Sequence, residues 1–210
     1  MAPLVVPAEV LASLLATLTP GERLRADRYR LPHDGRRFAV ARGWLRRVLG
    51  TATGTAARDL AITAGPGKPR LVDGGPCFNL AHAGDLALIA VAEREVGVDV
   101  EHLGSGPAGL DAVAVACTAA EVAVLRRLPP AVRPDAFLAI WTAKEAYLKA
   151  RGVGLAEAPD CIEVRTTGEA GSTGWWVRRI DPSPGYVGAV AAEGSDWVVE
   201  VVDIPMAVPA

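Results

Sequence analysis

The stretch from Leu86 to Glu101 constrains this chain most: an apolar run, Leu86 to Ala92, leads into Gly97-Val98-Asp99-Val100-Glu101. Valine alternates with acid there, so Asp99 and Glu101 share one strand face and Val98 and Val100 the other. Two carboxylates facing the same way in an apolar setting need a partner. A metal ion answers that need; an edge strand open to water is the alternative.

Further along comes Trp141-Thr142-Ala143-Lys144-Glu145-Ala146-Tyr147-Leu148-Lys149. The pattern predicts a helix from about Asp135 to Arg151, stopped by Gly152 and Gly154, with Glu145 and Lys149 four apart on one surface. Taken alone, that pair is an ordinary exposed helix pair worth a few tenths of a kcal/mol. Together with the strand, however, it offers three carboxylates, Asp99, Glu101 and Glu145, that can meet at one point. Two like charges about 6 Å apart repel by roughly 3 kcal/mol at an effective dielectric near 20, so three call for a cation. An all-oxygen set suits Mg²⁺, which keeps several waters and shares its remaining positions with substrate phosphates.

At 210 residues and 50% hydrophobic, the chain can bury a core as one large domain or as two halves. No run reaches the length of a membrane span, and Met1 to Leu18 carries Glu9 without a basic flank, so neither a span nor a signal peptide is expected and the reading is cytoplasmic. Leu11, Leu14, Leu15 and Leu18 form a helical stripe instead. Cys77, Cys117 and Cys161 are widely spaced, with no CxxC pair; they read as small buried hydrophobes and not as a disulfide framework or zinc site.

The net charge of −2 hides an asymmetry: Gly21 to Gly50 holds nine Arg against Glu22, Asp27 and Asp34, so it carries +6 and the remainder −8. Such a segment is either a solvated Arg-rich helix or an anion site. The acidic balance overall and the few aromatics speak against an extended nucleic-acid surface. Against 19 Arg there are only three Lys, Lys68, Lys144 and Lys149; these mark positions where a compact ammonium suits phosphate better than a planar fork.

Pro20-Gly21 is expected to close the first helix, and Asp34 to cap a second running to about Leu49, with Phe38, Ala41, Leu45 and Val48 inward and Arg42 and Arg46 on a neighbouring face. Leu60 to Gly97 is β-rich, with strands near 60–64, 77–80 and 86–92 and turns at Gly65-Pro66-Gly67, Asp73-Gly74-Gly75-Pro76 and Gly84-Asp85. A loop follows over Gly104 to Gly109, then a helix over Thr118 to Leu128, where Thr118 and Glu121 form a structural capping box. Strands are expected near Cys161–Thr166, Trp175–Ile180, Tyr186–Ala192 and Trp197–Val202. Helices then strands, twice over, predict an α+β protein of two similar halves with a boundary near Glu95.

The Arg-rich helix with Arg42, Gly67-Lys68-Pro69, Phe78-Asn79-Leu80-Ala81-His82, the Gly97 to Glu101 and Trp141 to Lys149 segments, Gly152-Val153-Gly154-Leu155 and Asp181-Pro182-Ser183-Pro184-Gly185-Tyr186 occur in one order. In that order the chain resembles the Sfp-type 4'-phosphopantetheinyl transferases. The resemblance implies two α+β halves related by pseudo-twofold symmetry with the active site at their interface. Residues 1–95 would bring the coenzyme A nucleotide contacts, and 96–210 the metal-binding acids and the catalytic helix. It implies transfer of the phosphopantetheine arm of coenzyme A to a serine of an apo acyl or peptidyl carrier protein, of fatty acid, polyketide or nonribosomal peptide assembly, with release of adenosine 3',5'-bisphosphate.

By the same resemblance, Asp99, Glu101 and Glu145 hold Mg²⁺ against the coenzyme A pyrophosphate, Glu101 directly or through water, and Lys149 and His82 contact its oxygens. Asp99, Glu145 and Lys149 form the catalytic set; from the chemistry of the reaction, the general base for the incoming serine is expected to be Glu145, directly or through metal-bound water. Lys68, Pro69 and Arg42 line the adenine and 3'-phosphate region, with Arg25 and Arg28 nearby. Ala81 and Ala83 flank His82 where many relatives carry serines. Carrier docking is expected near Gly104 to Gly109 and on the helix after Thr118, and the chain is expected to act as a monomer. The alternatives are a non-catalytic carrier-protein or nucleotide-binding homologue, or another Mg²⁺-dependent phosphotransferase, for which the chain has no GxxxxGK[ST] loop.

Overall fold

The computed structural model describes residues 1–63, 67–107, 113, 115–153, 158–164 and 174–206, together with 167–170 by their strand pairing. The first half runs β1 (Ala2–Pro3), α1 (Ala8–Leu15), α2 (Pro20–Asp27), α3 (Pro32–Thr53), β2 (Cys77–Ala83) and β3 (Leu86–Ala92). The second runs β4 (Val96–His102), α4 (Ala119–Arg127), α5 (Arg133–Arg151), β5 (Thr167–Ala170), β6 (Trp175–Ile180) and β7 (Tyr186–Glu193), with single 3-10 turns at Pro130–Val132 and Pro159–Cys161. The result is a mixed α+β fold.

Two antiparallel sheets result, in the orders β1-β3-β2 and β4-β7-β6-β5. The long helix α3 covers the first, burying Val40, Ala41 and Trp44 with Leu4, Val10, Leu14 and Ala87. Helix α5 covers the second, where Ala143, Ala146, Tyr147 and Leu148 pack on Val177, Ala189 and Ala191. The sheets meet at a seam between β2 and β4. Ala81, Leu88, Val98, Val100 and Val190 close it with apolar contacts, and the Val98 backbone N–H donates to Asn79 Oδ1 at 3.0 Å.

Several sequence expectations shift. Pro20 does not end a helix but starts α2: Thr19 caps it, accepting from the Glu22 N–H while Glu22 accepts from the Thr19 N–H, and Pro20 sits where no donor is needed. In α3 the cap falls on Leu31, Asp34 lies within the first turn, and the helix runs on to Thr53. Over the described residues 60–63 of the strand expected at 60–64, one bridge forms, Ile62 to Leu71, and residue 64 lies outside the described residues. Trp197 to Val202 form no strand; this segment lies across an apolar cavity of about 410 Å³ lined by residues including Leu88, Val96 and Val190. Its end is tied back by the Met1 amine, which donates to the Val202 carbonyl, and by Ile204 N–H to the Met1 carbonyl.

Of the strand expected over Cys161–Thr166, the described part is the turn ending at Cys161, the extended Ile162 and residues 163–164, which form no strand; the rest lies outside the described residues. Most of the turn at Gly65-Pro66, part of the Gly104 to Gly109 loop and Gly154 also lie outside them. Only Cys117 is buried; Cys77 is half-buried and Cys161 exposed, because Cys161 ends a surface turn and packs under no element. Among the described residues no helix is long and apolar enough to cross a membrane.

Candidate active site

The site is set by how closely α5 approaches β4. Gly97, Asp99 and Glu101 occupy one face of β4, opposite Ala191, Ala189 and Val187 of β7. A Cβ on Gly97 would stand 2.0 Å from the Ala146 carbonyl oxygen and 2.3 Å from the Ala150 nitrogen. Glycine here, flanked by the two small alanines, therefore lets the helix lie against the sheet backbone. Trp141, Glu145 and Lys149 then form a stripe at four-residue spacing that faces the acidic stripe of the strand.

Contacts follow in register. Lys149 Nζ donates to Asp99 Oδ1 at 2.5 Å, and the Trp141 side chain donates to Glu101. Asp99 is only 5% exposed, and its second oxygen, Oδ2, has no hydrogen-bond partner among the described residues. Burial pushes the Asp99 carboxyl up to about 7; Lys149 opposes this, and the charges of Glu101 and Glu145 reinforce it. Burial, aided by Glu145, also raises Glu101 against Trp141 and Lys149. The three acids thus sense one another across β4 and α5.

This arrangement fits a divalent cation on chemical grounds. A buried carboxylate oxygen with no donor costs a few kcal/mol, and three mutually repelling acids are the oxygen donors Mg²⁺ prefers. Among the described residues, however, no three His, Cys, Asp or Glu side chains are drawn to a common point at metal-holding distance. Lys149 instead supplies the positive charge on Oδ1.

His82, at the end of β2, is exposed on one side, and its imidazole lies below the usual histidine range because of desolvation and the cations Lys149 and Arg37, against Asp34. It belongs to the same electrostatic neighbourhood as Lys149, although it comes from the other sheet. Ala81 is buried in the seam with Val98 and Val100 and brings no donor to this region.

Arg42, Arg46, Lys68 and Arg25 are engaged elsewhere. Arg42 donates twice to Glu22 Oε1, at 3.0 and 2.7 Å, and buried Arg46 donates to Glu22 Oε2 at 2.7 Å. Burial works to raise Glu22, but hydrogen bonds from Arg46, Thr19 and Arg42 outweigh it and hold the carboxyl below its ordinary value. Lys68 spends all three ammonium donors on Glu95 Oε2 (2.7 Å), the Val96 carbonyl (2.8 Å) and the Ala150 carbonyl (3.1 Å). It thereby tethers the end of α5 to the start of β4. Pro69 lines a small cavity beside Cys77 and Glu95. Arg25 lies over the Phe38 ring, 5.0 Å from its centroid, and Arg28 is exposed at the end of α2.

Lys144 stands apart from the phosphate role its rarity suggested. It is fully buried and pairs with Glu121 Oε2 at 2.5 Å while donating to the Ala116 and Pro159 carbonyls. Glu121 also completes the capping box with Thr118. Sequence reasoning assigned no role to Asn79, which bridges the two sheets, or to the Trp141 side chain, which bonds Glu101. Trp141 does stack on Phe137 at 6.2 Å, yet its placement one turn before Glu145 was a usable signal.

Residues 95–202 match the family described as the 4'-phosphopantetheinyl transferase superfamily. The chain is similar to the 4'-phosphopantetheinyl transferase HetI of Nostoc sp., 35% identical over 93% of this chain and 86% of HetI. It is similar to the 4'-phosphopantetheinyl transferase psf-1 of Bacillus pumilus, 30% identical over 72% of this chain and 65% of that protein. Against the 4'-phosphopantetheinyl transferase Sfp of Bacillus subtilis it is 22% identical over 89% of this chain and 87% of Sfp. Family match, extended similarity and α+β architecture agree: the chain belongs to the 4'-phosphopantetheinyl transferase superfamily.

Proposed function

We propose that this protein transfers the 4'-phosphopantetheine arm of coenzyme A to a serine of an apo acyl or peptidyl carrier protein, with Mg²⁺, releasing adenosine 3',5'-bisphosphate. The observation that carries the reading is the buried acid Asp99, paired to Lys149 on one oxygen and without a donor on the other, facing Glu101 and Glu145. Asp99, Glu101 and Glu145 would hold the ion. When bound, Mg²⁺ neutralises the charge of the diphosphate as the leaving phosphate departs.

The chain's own residues do the rest. Lys149, released from Asp99 Oδ1, would take a diphosphate oxygen, with His82 as a second contact. The carrier serine Oγ forms a bond to the pantetheine-side phosphorus, and the bridging P–O bond breaks toward the nucleotide. Glu145 accepts the serine proton, a role worth about 10² to 10⁴ in rate. Positioning and charge neutralisation supply most of the remainder. Arg25, Arg28, Arg42, Lys68 and Pro69 are the proposed nucleotide contacts. For Arg42 and Lys68 this requires exchanging Glu22 and Glu95 for phosphate.

Both walls of the site come from one chain, which supports a monomer, and we place the reaction in the cytoplasm. The test is an intact-mass measurement of an apo carrier protein after incubation with the enzyme, coenzyme A and Mg²⁺. The expected result is a gain equal to one phosphopantetheine arm. A carrier of unchanged mass, with coenzyme A bound but not consumed, would favour a non-catalytic binder.

A further inference from the structure

Two side-chain hydrogen bonds join the β2–β3 hairpin to the second sheet. Near the start of β2, Asn79 Oδ1 accepts from the Val98 N–H at 3.0 Å. At the hairpin tip, the Asp85 N–H donates to the Tyr186 hydroxyl at 3.2 Å. His82 lies midway between Asn79 and Asp85 in sequence. On the other wall Val98 directly precedes Asp99, and Tyr186, the first residue of β7, stands opposite His102, which directly follows Glu101. The two bridges therefore bracket the histidine on one side and the acids Asp99 and Glu101 on the other.

The hairpin tip is shaped around the tyrosine. The Tyr186 ring is held edge-on against the His102 ring, with centroids 5.0 Å apart and planes at 88°, and it packs with the seam cluster that includes Ala83 and Leu86. Gly84 makes room for its hydroxyl: the residue has φ 52°, where a side chain is strained, and a Cβ there would stand 2.9 Å from the Tyr186 oxygen. Asp85 is fastened on two further sides, its carbonyl accepting from the Leu4 N–H at 2.8 Å and its carboxylate from Arg37 at 2.7 Å. Both of those contacts come from the first half; of the three, the bond to Tyr186 ties the tip to the second.

His82 and Lys149 come from different sheets, and the histidine feels the charge of the lysine. Their separation is set by how the hairpin lies against β4 and β7. The apolar contacts of the seam are non-directional and fix that position poorly, whereas a hydrogen bond at each end fixes it well. Resting on the transferase reading above, we propose that Tyr186 is a positioning residue: its hydroxyl, through the Asp85 N–H, holds His82 at its working distance from Lys149 and the diphosphate. Asn79 anchors the other end of the same strand.

The test is a double-mutant cycle on loading of an apo carrier protein with coenzyme A and Mg²⁺, read as kcat/KM for the wild-type chain, Tyr186→Phe, His82→Ala and the double variant, alongside hydrogen exchange of the Asp85 amide. Tyr186→Phe keeps the ring and removes the hydroxyl; it is expected to speed exchange at Asp85 and to lower kcat/KM about ten- to a hundredfold, the cost of a misplaced contact. In the His82→Ala background the same change is expected to cost less than about twofold, because the residue it acts through is gone. Equal factors in both backgrounds, a wild-type kcat/KM in Tyr186→Phe, or an Asp85 amide that exchanges no faster in Tyr186→Phe than in the wild type, each overturns the assignment while leaving the transferase reading standing. A wild-type chain that loads no carrier protein overturns both.

Discussion

Lys149 Nζ sits 2.5 Å from Asp99 Oδ1, joining the helix that carries Glu145 to the strand that carries Glu101. That single contact holds one oxygen of a buried acid and leaves the other without a hydrogen-bond partner among the described residues, under the charges of two more carboxylates. Because burial outweighs Lys149 and raises the Asp99 carboxyl to about 7, the charge state of the site is sensitive to proton and cation concentration.

Asp99 should give the metal-free protein an unusual pH profile. Its folded value, about 7, lies above the 3.8 of an unhindered aspartate. Between those values the folded chain holds a proton that the unfolded chain has released, so stability falls as pH rises from about 4 to about 7 and levels off above. Asp99→Asn removes this dependence. Urea unfolding of both proteins across that range, without metal, measures it; a wild-type stability that climbs over the same window contradicts the assignment.

Mg²⁺ competes with the same proton. The thermal shift caused by millimolar Mg²⁺ is therefore expected to be larger at pH 8 than at pH 6, and to shrink in Asp99→Asn and in Glu145→Gln. Equal shifts at both pH values would show that Asp99 does not titrate with metal binding.

Gly97→Ala places a methyl into the backbone of α5, where the Ala146 oxygen would lie 2.0 Å away. Overpacking of this kind costs about 1–3 kcal/mol. It should also push Lys149 and Glu145 away from β4, so transfer activity is expected to fall more than stability. Chemical denaturation and a carrier-loading assay on the same preparation separate the two effects.

Lys144→Met leaves Glu121 buried without its cation and is expected to cost about 3–5 kcal/mol. Adding Glu121→Gln should recover part of that loss, because the uncompensated charge is gone. A double-mutant cycle by denaturation reads the coupling; additive losses would mean that the pair is not an energetic unit.

Much of this was legible from spacing. The alternation at Val98 to Glu101 and the four-residue steps from Trp141 to Lys149 point to the facing stripes found in the structure, and Gly152 ends α5 in the left-handed conformation expected of a stop, with φ 70°. The capping box at Thr118 and Glu121 forms as its pattern predicts. The same T-x-x-E pattern at Thr19 and Glu22 was hidden by Pro20-Gly21, a breaker pair that here opens a helix. Partner choice was not legible: nothing local distinguishes Lys144, sealed against Glu121, from Lys149, which reaches Asp99 across two elements. Nor can spacing show that Gly97 is required by a helix fifty residues away, since that demand exists only once the two elements pack.

The most direct test is the position of Mn²⁺, located by anomalous scattering, in crystals grown with coenzyme A. One ion is expected within coordinating distance of both Asp99 Oδ2 and the Glu145 carboxylate, touching the diphosphate, with Lys149 moved from Asp99 Oδ1 to a phosphate oxygen. An ion bound elsewhere, or Asp99 still held by Lys149 with the diphosphate distant from both acids, would contradict the account.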